Sequence, residues 1–196
     1  NLQGIWSNST KLSWNCNYTT NINTQMNYWP VLPCNMPELM TPLTDLIKTL
    51  SVTGEETARN FYNANGFVVH HNSDIWGFSY PVQGRACWGF WQGGSGWLCR
   101  SLFEIYEYTL DKDVLENDIY PMLKECAGYF SKLMIENNGR LVTYPCYSPE
   151  HGPRTMGNTY EQALLWQLYD DAIKSATALS VDGDLVAKWQ DIQNRL

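Results

Sequence analysis

Residues 37–50, PELMTPLTDLIKTL, carry the pattern that decides the fold class of this chain. Their apolar side chains recur at spacings of three and four, at Leu39, Met40, Leu43, Leu46, Ile47 and Leu50. Such spacing places them on one face of a helix. The pattern predicts a helix that begins near Pro37 and ends near Gly54, followed by a shorter polar helix over residues 55–64.

The same helical spacing returns further along the chain, over residues 97–108, 114–136, 164–179 and from about 184 onward. Pro121 marks a break in the second of these segments. A turn signal at residues 137–139 precedes a short predicted strand at residues 141–144. We therefore expect an all-α fold, for which a helical bundle, a repeat solenoid and an α/α toroid are the compatible architectures. The sequence has no internal repeat of fixed period, which weakens the solenoid.

The composition bounds the class of protein and its partners. The chain has 196 residues, of which 44% are hydrophobic, and this suits one domain with a substantial core. Its net charge of −7 comes from scattered acidic residues, which argues against nucleic acid as a partner. No apolar run approaches the roughly 18 residues of a membrane span, so no membrane partner is expected. Six cysteines without a CxxC pair, beside only three histidines, argue against a metal site and leave disulfides open.

The two ends of the sequence predict that the chain is a piece of a longer protein. It opens on Asn1 in an apolar stretch, and its last helical pattern is still running at Leu196. Asn8 and Asn17 each begin an N-glycosylation acceptor pattern, which is common by chance. The compartment therefore stays open, and a secreted, periplasmic or cell-surface parent protein is compatible with the sequence.

Polar and aromatic residues gather in the connections rather than in the helices. Residues 67–94 form a long irregular connection that is too aromatic to be disordered, and loops of that length are usually functional. Nine Trp and twelve Tyr residues exceed ordinary usage. Their flat apolar faces and polar edges suit the stacking of sugar rings, and they also suit a large core.

Residues 18–30, YTTNINTQMNYWP, concentrate amides against an apolar and aromatic background, including Asn21 and Asn23. Such amides suit hydrogen bonding to sugar hydroxyls, or holding a water through their carbonyl oxygens. The next polar segment, HHNSDIWG, brings His71 and Asp74 close to Trp76. It suits a polyhydroxylated ligand that stacks on Trp, and a satisfied polar turn packed on the core is the equal alternative.

Two further segments supply an aromatic platform and a carboxylate. In WGFWQGGSGWLC, Trp97 lies near three glycines that allow close backbone approach to a ligand, although Trp97 also suits core packing at a helix start. In YPCYSPEHGPRT, Glu150 lies in a proline-fixed, aromatic loop. Partial desolvation there would raise its pKa, as a general acid requires. From the residues alone, a solvated or helix-capping Glu is the commoner alternative.

Four segments in this order, TTNINTQMNYWP, HHNSDIWG, WGFWQGGSGWLC and YPCYSPEHG, resemble the glycoside hydrolase family 95 enzymes. These are α-L-fucosidases, with relatives that act on α-L-galactosides. The resemblance implies an (α/α)6 toroid that hydrolyses terminal α-L-fucosyl linkages of glycans with inversion and without a cofactor. It further implies that Glu150 is the general acid and that Asn21 and Asn23 hold the attacking water. Trp97 and His71 would then line the fucose subsite.

The sequence departs from the family pattern in two respects. The aspartate that makes the amide basic belongs to a later part of the family's domain. Residues 1–196 are therefore expected to be a single fragment of the catalytic domain, about the first half of the toroid, and inactive without the remainder. We assign that role to none of the late aspartates, Asp170, Asp171, Asp182, Asp184 and Asp191. Fucose-preferring members commonly carry His where this chain has Thr19, and the smaller residue leaves room for the hydroxymethyl group of L-galactose.

Two alternatives stay open beside the fucosidase. One is an α-L-galactosidase of the same family, and the other is a helical carbohydrate-binding module without catalysis. Replacement of Glu150 distinguishes the enzyme from the binding module, because it should abolish the turnover of an enzyme and a binding module has no turnover to lose.

Overall fold

The computed structural model of the protein describes Gly4 and residues 6–196. The described chain is mainly helical. Its helices in chain order are α1 (Asn23–Tyr28), α2 (Thr41–Tyr62), α3 (Ala86–Gly89), α4 (Gly94–Thr109), α5 (Lys112–Val114), α6 (Tyr120–Leu133), α7 (Thr159–Leu179) and α8 (Gly183–Arg195). Two small antiparallel sheets accompany them, one of β1 (Tyr18–Thr19) with β2 (Asn72–Ser73) and one of β3 (Ile135–Asn137) with β4 (Arg140–Val142).

The core lies between α2, α4, α6 and α7, and α8 packs on the outer side of α7. Leu43, Ile47 and Leu50 are fully buried on one face of α2, so the helix predicted from residues 37–50 is confirmed. Pro37–Met40 forms a 3₁₀ turn that leads into it. The predicted helices at residues 97–108 and 164–179 are confirmed as α4 and α7. A helix also covers the segment from residue 184 onward.

The prediction that a helix ends at Gly54 and a second one follows is wrong, because α2 continues without a break to Tyr62. The glycine serves a tertiary contact instead of a helix end. A Cβ at residue 54 would lie 2.7 Å from the carbonyl oxygen of Val68. The missing side chain lets the segment after Gly66 lie against α2, where the Val68 N–H donates to the Gly54 carbonyl over 3.3 Å.

The break predicted at Pro121 takes the form of a change in helix type. The Asp111 carboxylate caps α5 by accepting from the N–H groups of Asp113 and Val114. A π-helical turn, Leu115–Ile119, then joins α5 to α6, which has Pro121 in its first turn. Pro121 has no N–H to donate to a helical carbonyl, and the π-helical turn, with its hydrogen bond from the Tyr120 N–H to the Leu115 carbonyl, lies directly before it.

The segment after α6 forms a hairpin rather than the longer helix predicted up to residue 136. Ile135 pairs with Val142 and Asn137 with Arg140. The two turn residues, Asn138 and Gly139, have φ of 51° and 80°, as a tight hairpin turn requires. The predicted strand at residues 141–144 therefore lies one residue too late at its start and two residues too late at its end.

The first sheet joins two connections that are far apart in the sequence. Tyr18 pairs with Ser73 and Thr19 with Asn72, and the Thr20 N–H donates to the His71 carbonyl over 2.9 Å. This sheet fixes the segment that carries Asn21 and Asn23 directly beside the one that carries His71.

Several large apolar side chains on the helices are exposed, namely those of Val52, Phe61, Tyr108 and Trp166. Within the described part of the chain, no helix has both the length and the apolar character that crossing a membrane demands.

Candidate active site

Glu150 lies at the tip of the loop between β4 and α7. A backbone bridge between Cys146 and Thr155 closes the base of this loop with hydrogen bonds of 3.0 and 2.9 Å. On the other side, the Cys87 thiol donates to the Glu150 carbonyl over 3.3 Å. The Glu150 side chain itself is 61% exposed, so the desolvation expected from the loop sequence is wrong for the described chain. The bridge and the Cys87 contact restrain the loop backbone, and the carboxyl remains open to a cavity.

A cavity of about 540 Å³ opens beside this carboxyl. Glu150, His71 and Thr19 line it together with residues from two earlier parts of the chain, Trp14, Asn15, Asn17, Asn72, Val82, Gln83 and Trp88. The structure thus gathers Glu150 and His71, which are 79 positions apart in the sequence, around one hollow. Its size falls in the range of small-ligand sites.

His71 contacts the candidate acid directly, because its Nε2 lies 3.7 Å from Glu150 Oε1. Burial lowers the pKa of His71 from 6.5, and the Glu150 charge offsets only part of that effect. The imidazole is therefore neutral at about pH 7, and the contact is a polar one rather than a full ion pair. Among the described residues, His71 Nδ1 has no hydrogen-bond partner, although the atom is buried.

The adjacent His70 packs inside the core. It is fully buried, its Nε2 lies 2.5 Å from the Tyr62 hydroxyl, and its Nδ1 lies 2.7 Å from the Ser79 carbonyl oxygen. Burial lowers the pKa of His70 to about 4. The two neighbouring histidines thus point to different surroundings, as backbone geometry requires.

Asn21 and Trp97 do not line the Glu150 cavity, but aromatic rings connect them to His71. The Tyr160 hydroxyl donates to Asn21 Oδ1 over 3.1 Å. The Tyr160 ring stacks on Trp91 at 5.7 Å between centroids, and the edge of Trp97 meets it at 5.9 Å. Trp91 in turn lies 6.4 Å from His71. The structure therefore links Asn21, Trp97 and His71 through two rings.

Asn23 lines a second cavity, of about 710 Å³, together with Asn27 and Asp45. Asn17 and Thr19 belong to the walls of both cavities. Among the described residues that line this second cavity, Asp45 is the only carboxylate. Asn23 and Glu150 thus lie in adjoining hollows rather than in one.

Thr19 is held in place between the two cavities. Asn72 Nδ2 donates to Thr19 Oγ1 over 3.2 Å and to Asn17 Oδ1 over 3.1 Å. Asp74, in contrast, lines neither cavity. Its carboxylate accepts from the N–H groups of Trp76 and Phe78, so it closes a local turn.

Tyr160 is the residue of this arrangement that the sequence did not single out, whereas Trp91 and Asn72 lie in two of the segments selected above. Tyr160 lies in the first turn of α7, after the Glu150 loop, and Trp91 is fully buried. A residue that begins a helix after a polar loop faces the loop end of that helix, and this position was the available signal for Tyr160. No local pattern indicated the partner of Asn72.

Behind Tyr160 lies a buried carboxyl that the sequence pattern did not reveal. Glu161 is 2% exposed, and its N–H donates to the Asn158 side chain, which caps α7. Burial raises the pKa of Glu161 to about 7. Glu161 Oε2 has no hydrogen-bond partner among the described residues.

The helical frame is shared with a solved structure of low sequence identity. A putative kojibiose phosphorylase from human microbiome superimposes with a TM-score of 0.58 over 75% of this chain and 23% of that chain, at 13% identity. This likeness concerns the fold alone. It places the chain in the class of α/α-toroid proteins, and the chain corresponds to part of such a toroid.

The particular family follows from the sequence. The glycosyl hydrolase family 95 catalytic domain matches residues 1–196, and the chain belongs to this family. It is 36% identical to alpha-L-fucosidase 2 of Arabidopsis thaliana, over all of this chain and 25% of that protein. It is 33% identical to the probable alpha-fucosidase A of Aspergillus niger, over 93% of this chain and 24% of that protein. The chain thus spans about a quarter of the length of these relatives.

Proposed function

We propose that the protein containing this chain hydrolyses terminal α-L-fucosyl linkages of glycans with inversion of configuration. Membership of glycoside hydrolase family 95 and the names of the two relatives support the reaction type. The observation that carries the proposal is the shared wall at Thr19, with the Glu150 cavity on one side and the Asn23 cavity on the other. Inversion needs an acid and a water on opposite sides of the sugar, and adjoining cavities leave room for both.

Glu150 is the general acid of this proposal. It protonates the glycosidic oxygen as the bond to the leaving group breaks. Such an acid must keep its proton near neutral pH, and removal from water is the usual cause. Since the Glu150 side chain is 61% exposed, the bound glycan would itself supply that desolvation.

Asn21 and Asn23 hold the attacking water through their amide oxygens. The Tyr160 hydroxyl donates to Asn21 Oδ1, so the oxygen end of the amide faces Tyr160. This hydrogen bond orients the Asn21 side chain. An amide is too weak a base to take the proton of water alone, so a second carboxylate must share that proton. We propose that residues outside 1–196 provide it, and that residues 1–196 are inactive without them.

None of the five late aspartates lines the Asn23 cavity or the Glu150 cavity, and four of them are engaged elsewhere. Asp170, Asp171, Asp182 and Asp191 each pair with a Lys or Arg side chain. Asp45 is the alternative base, because it lines the cavity of Asn23. Replacement of Asp45 by Asn in the intact protein separates the two. If Asp45→Asn retains turnover, the catalytic base lies outside residues 1–196. If it lowers turnover as much as Glu150→Gln does, Asp45 is the base.

Trp97, His71 and Thr19 would surround the sugar. His71 Nε2, which faces Glu150, is suited to a sugar hydroxyl, and Trp97 provides an aromatic ring beside Tyr160. Thr19 leaves space beside the ring substituent of the sugar, which favours an α-L-galactoside as the second candidate substrate. Comparison of aryl α-L-fucoside with aryl α-L-galactoside tests this point, and a strong fucoside preference that survives Thr19→His would exclude it.

The reaction itself is tested with the intact protein and an aryl α-L-fucoside followed by proton NMR. The proposal expects β-L-fucose as the first product, before mutarotation. Release of α-L-fucose first would exclude inversion. Sugar binding without any turnover would favour a carbohydrate-binding module instead.

A further inference from the structure

We infer, on the basis of the proposed function, that the leaving-group side of the site accepts a sugar with a negative charge, a carboxylate or a sulfate ester. Arg85 and Arg154 would bind that charge. The inference begins from a third cavity, of about 640 Å³, which Glu150 also lines. Its other polar walls are Arg85, Cys87, Tyr147, His151 and Arg154.

The position of this cavity assigns its role. A general acid stands at the glycosidic oxygen, between the sugar that is cleaved off and the leaving group. The cavity on one side of Glu150 contains Thr19 and His71, where the cleaved sugar is proposed to bind. The cavity with the two arginines then receives the leaving group, because it shares Glu150 but neither Thr19 nor His71.

The charge of this cavity contrasts with that of the chain. The net charge of the chain is −7, yet among the described residues that line the cavity Glu150 is the only carboxylate. Within the described part of the chain, neither Arg85 nor Arg154 forms an ion pair, whereas Arg59, Arg100 and Arg195 each do. Two unpaired guanidinium groups at one hollow favour an oxyanion ligand, which each can bind through paired N–H donors.

The local structure holds both arginines at the rim. The Arg154 guanidinium lies 5.9 Å from the centroid of the Tyr144 ring, a cation–π distance that restricts its motion. The Arg85 carbonyl accepts from the N–H groups of Trp88 and Gly89, which anchors its backbone at the start of α3.

Matched aryl substrates test the inference on the intact protein. The para-carboxyphenyl and para-carbamoylphenyl α-L-fucosides have nearly the same shape and differ in charge, and a para-sulfophenyl α-L-fucoside represents the sulfate. We expect kcat/KM to be about threefold to tenfold higher for the charged substrates at low salt, and this ratio to fall as added salt screens the charges. The anion with the higher ratio, carboxylate or sulfonate, indicates which ligand the site prefers.

The double variant Arg85→Gln/Arg154→Gln should bring the charged-to-neutral ratio close to one. Arg59→Gln, which replaces an exposed arginine on α2, is the matched control and should leave the ratio as in the wild type. Because each ratio is measured within one enzyme, a partial loss of folded protein cancels. An unchanged ratio in the double variant would overturn the inference. If that unchanged ratio came with equal losses of kcat/KM on all substrates, the arginines would act on Glu150 rather than on the leaving group. Absence of hydrolysis of the carbamoylphenyl fucoside by the wild type would instead remove the proposed function.

Discussion

At the scale of single residues, the Tyr160 hydroxyl is the contact that most directly prepares an amide for the proposed water. Tyr160→Phe removes the donor to Asn21 Oδ1 and retains the ring that stacks on Trp91. We expect kcat to fall about twofold to tenfold, because one hydrogen bond contributes about 0.5–1.5 kcal/mol. Tyr108→Phe, on the exposed side of α4, is the control. Equal rates for Tyr160→Phe and the wild type would contradict a positioning role.

The burial of Glu161 predicts that the stability of the protein depends on pH, and it also fixes the sign of that dependence. Burial raises the folded pKa to about 7, whereas the unfolded chain titrates near 4.5. Between these values the unfolded state releases the proton while the folded state retains it, so stability falls as the pH rises and is lowest above about pH 7. For a single group, this shift corresponds to about 3 kcal/mol.

Glu161→Gln should remove this loss, because the amide resembles the protonated carboxyl at every pH. The measurement is the difference in the free energy of unfolding between variant and wild type at about pH 5 and pH 8. The difference isolates Glu161 from the other buried groups, His70 and Asp171, which titrate in both proteins. A difference that does not change with pH would contradict the raised pKa.

The residues of the site divide by the kind of signal that reveals them. Asn21, His71 and Glu150 belong to segments whose composition is unusual, so they could be selected from the sequence. Tyr160 contacts Asn21 from 139 positions away, and no local pattern encodes such a contact. The exposure of Glu150 was also mispredicted, because it depends on which elements lie opposite the loop.

At the scale of elements, Gly54 shows that tertiary packing, rather than helix propensity, explains a glycine near the end of an apolar pattern. Its place near the end of an apolar pattern predicted a helix end, yet a contact with Val68 explains it. Gly54→Ala should destabilise the protein by about 1–3 kcal/mol, because the new Cβ would lie 2.7 Å from the Val68 carbonyl oxygen.

Gly128→Ala in α6 is the matched control, because a Cβ there meets nothing within 4 Å. The higher helix propensity of Ala should stabilise this variant by about 0.5–1 kcal/mol. Chemical denaturation of both variants measures the contrast. Equal stabilisation by the two substitutions would mean that α2 has space beside residue 54.

One arginine of α4 forms an ion pair with α7. Arg100 donates to the fully buried Asp171 over 3.1 Å and to Glu107 over 2.6 Å. Burial still raises the pKa of Asp171 to about 6, although Arg100 opposes that effect. Arg100→Met would leave the carboxylate buried without its cation and with Gln167 as its remaining side-chain donor, and we expect a loss of about 2–3 kcal/mol at about pH 8.

The loss should be smaller at about pH 5, where Asp171 can bind a proton. Adding Asp171→Asn to the Arg100→Met variant should recover part of the stability at the higher pH. A loss of the same size at both pH values, with no recovery in the double variant, would assign the role of Arg100 to packing alone.

At the scale of the whole molecule, helical periodicity predicted the fold class, since the buried faces of α2, α4 and α7 follow it closely. The association of the loops could not be derived in this way. It depends on the pairing of β1 with β2 and on the packing of the Glu150 loop against Cys87, both of which join distant parts of the chain. The family resemblance supplied that arrangement as an expectation, and the structure shows adjoining cavities rather than one common hollow.

The central claim is that Glu150 delivers a proton to the leaving group, and leaving groups of different basicity test it most directly. In the intact protein, Glu150→Gln should lower kcat/KM for methyl α-L-fucoside by about 10²–10⁴, because methoxide cannot depart without a proton. The same variant should lose about tenfold or less with dinitrophenyl α-L-fucoside, whose phenolate departs unaided. Equal losses on both substrates, or no loss on either, would contradict the account.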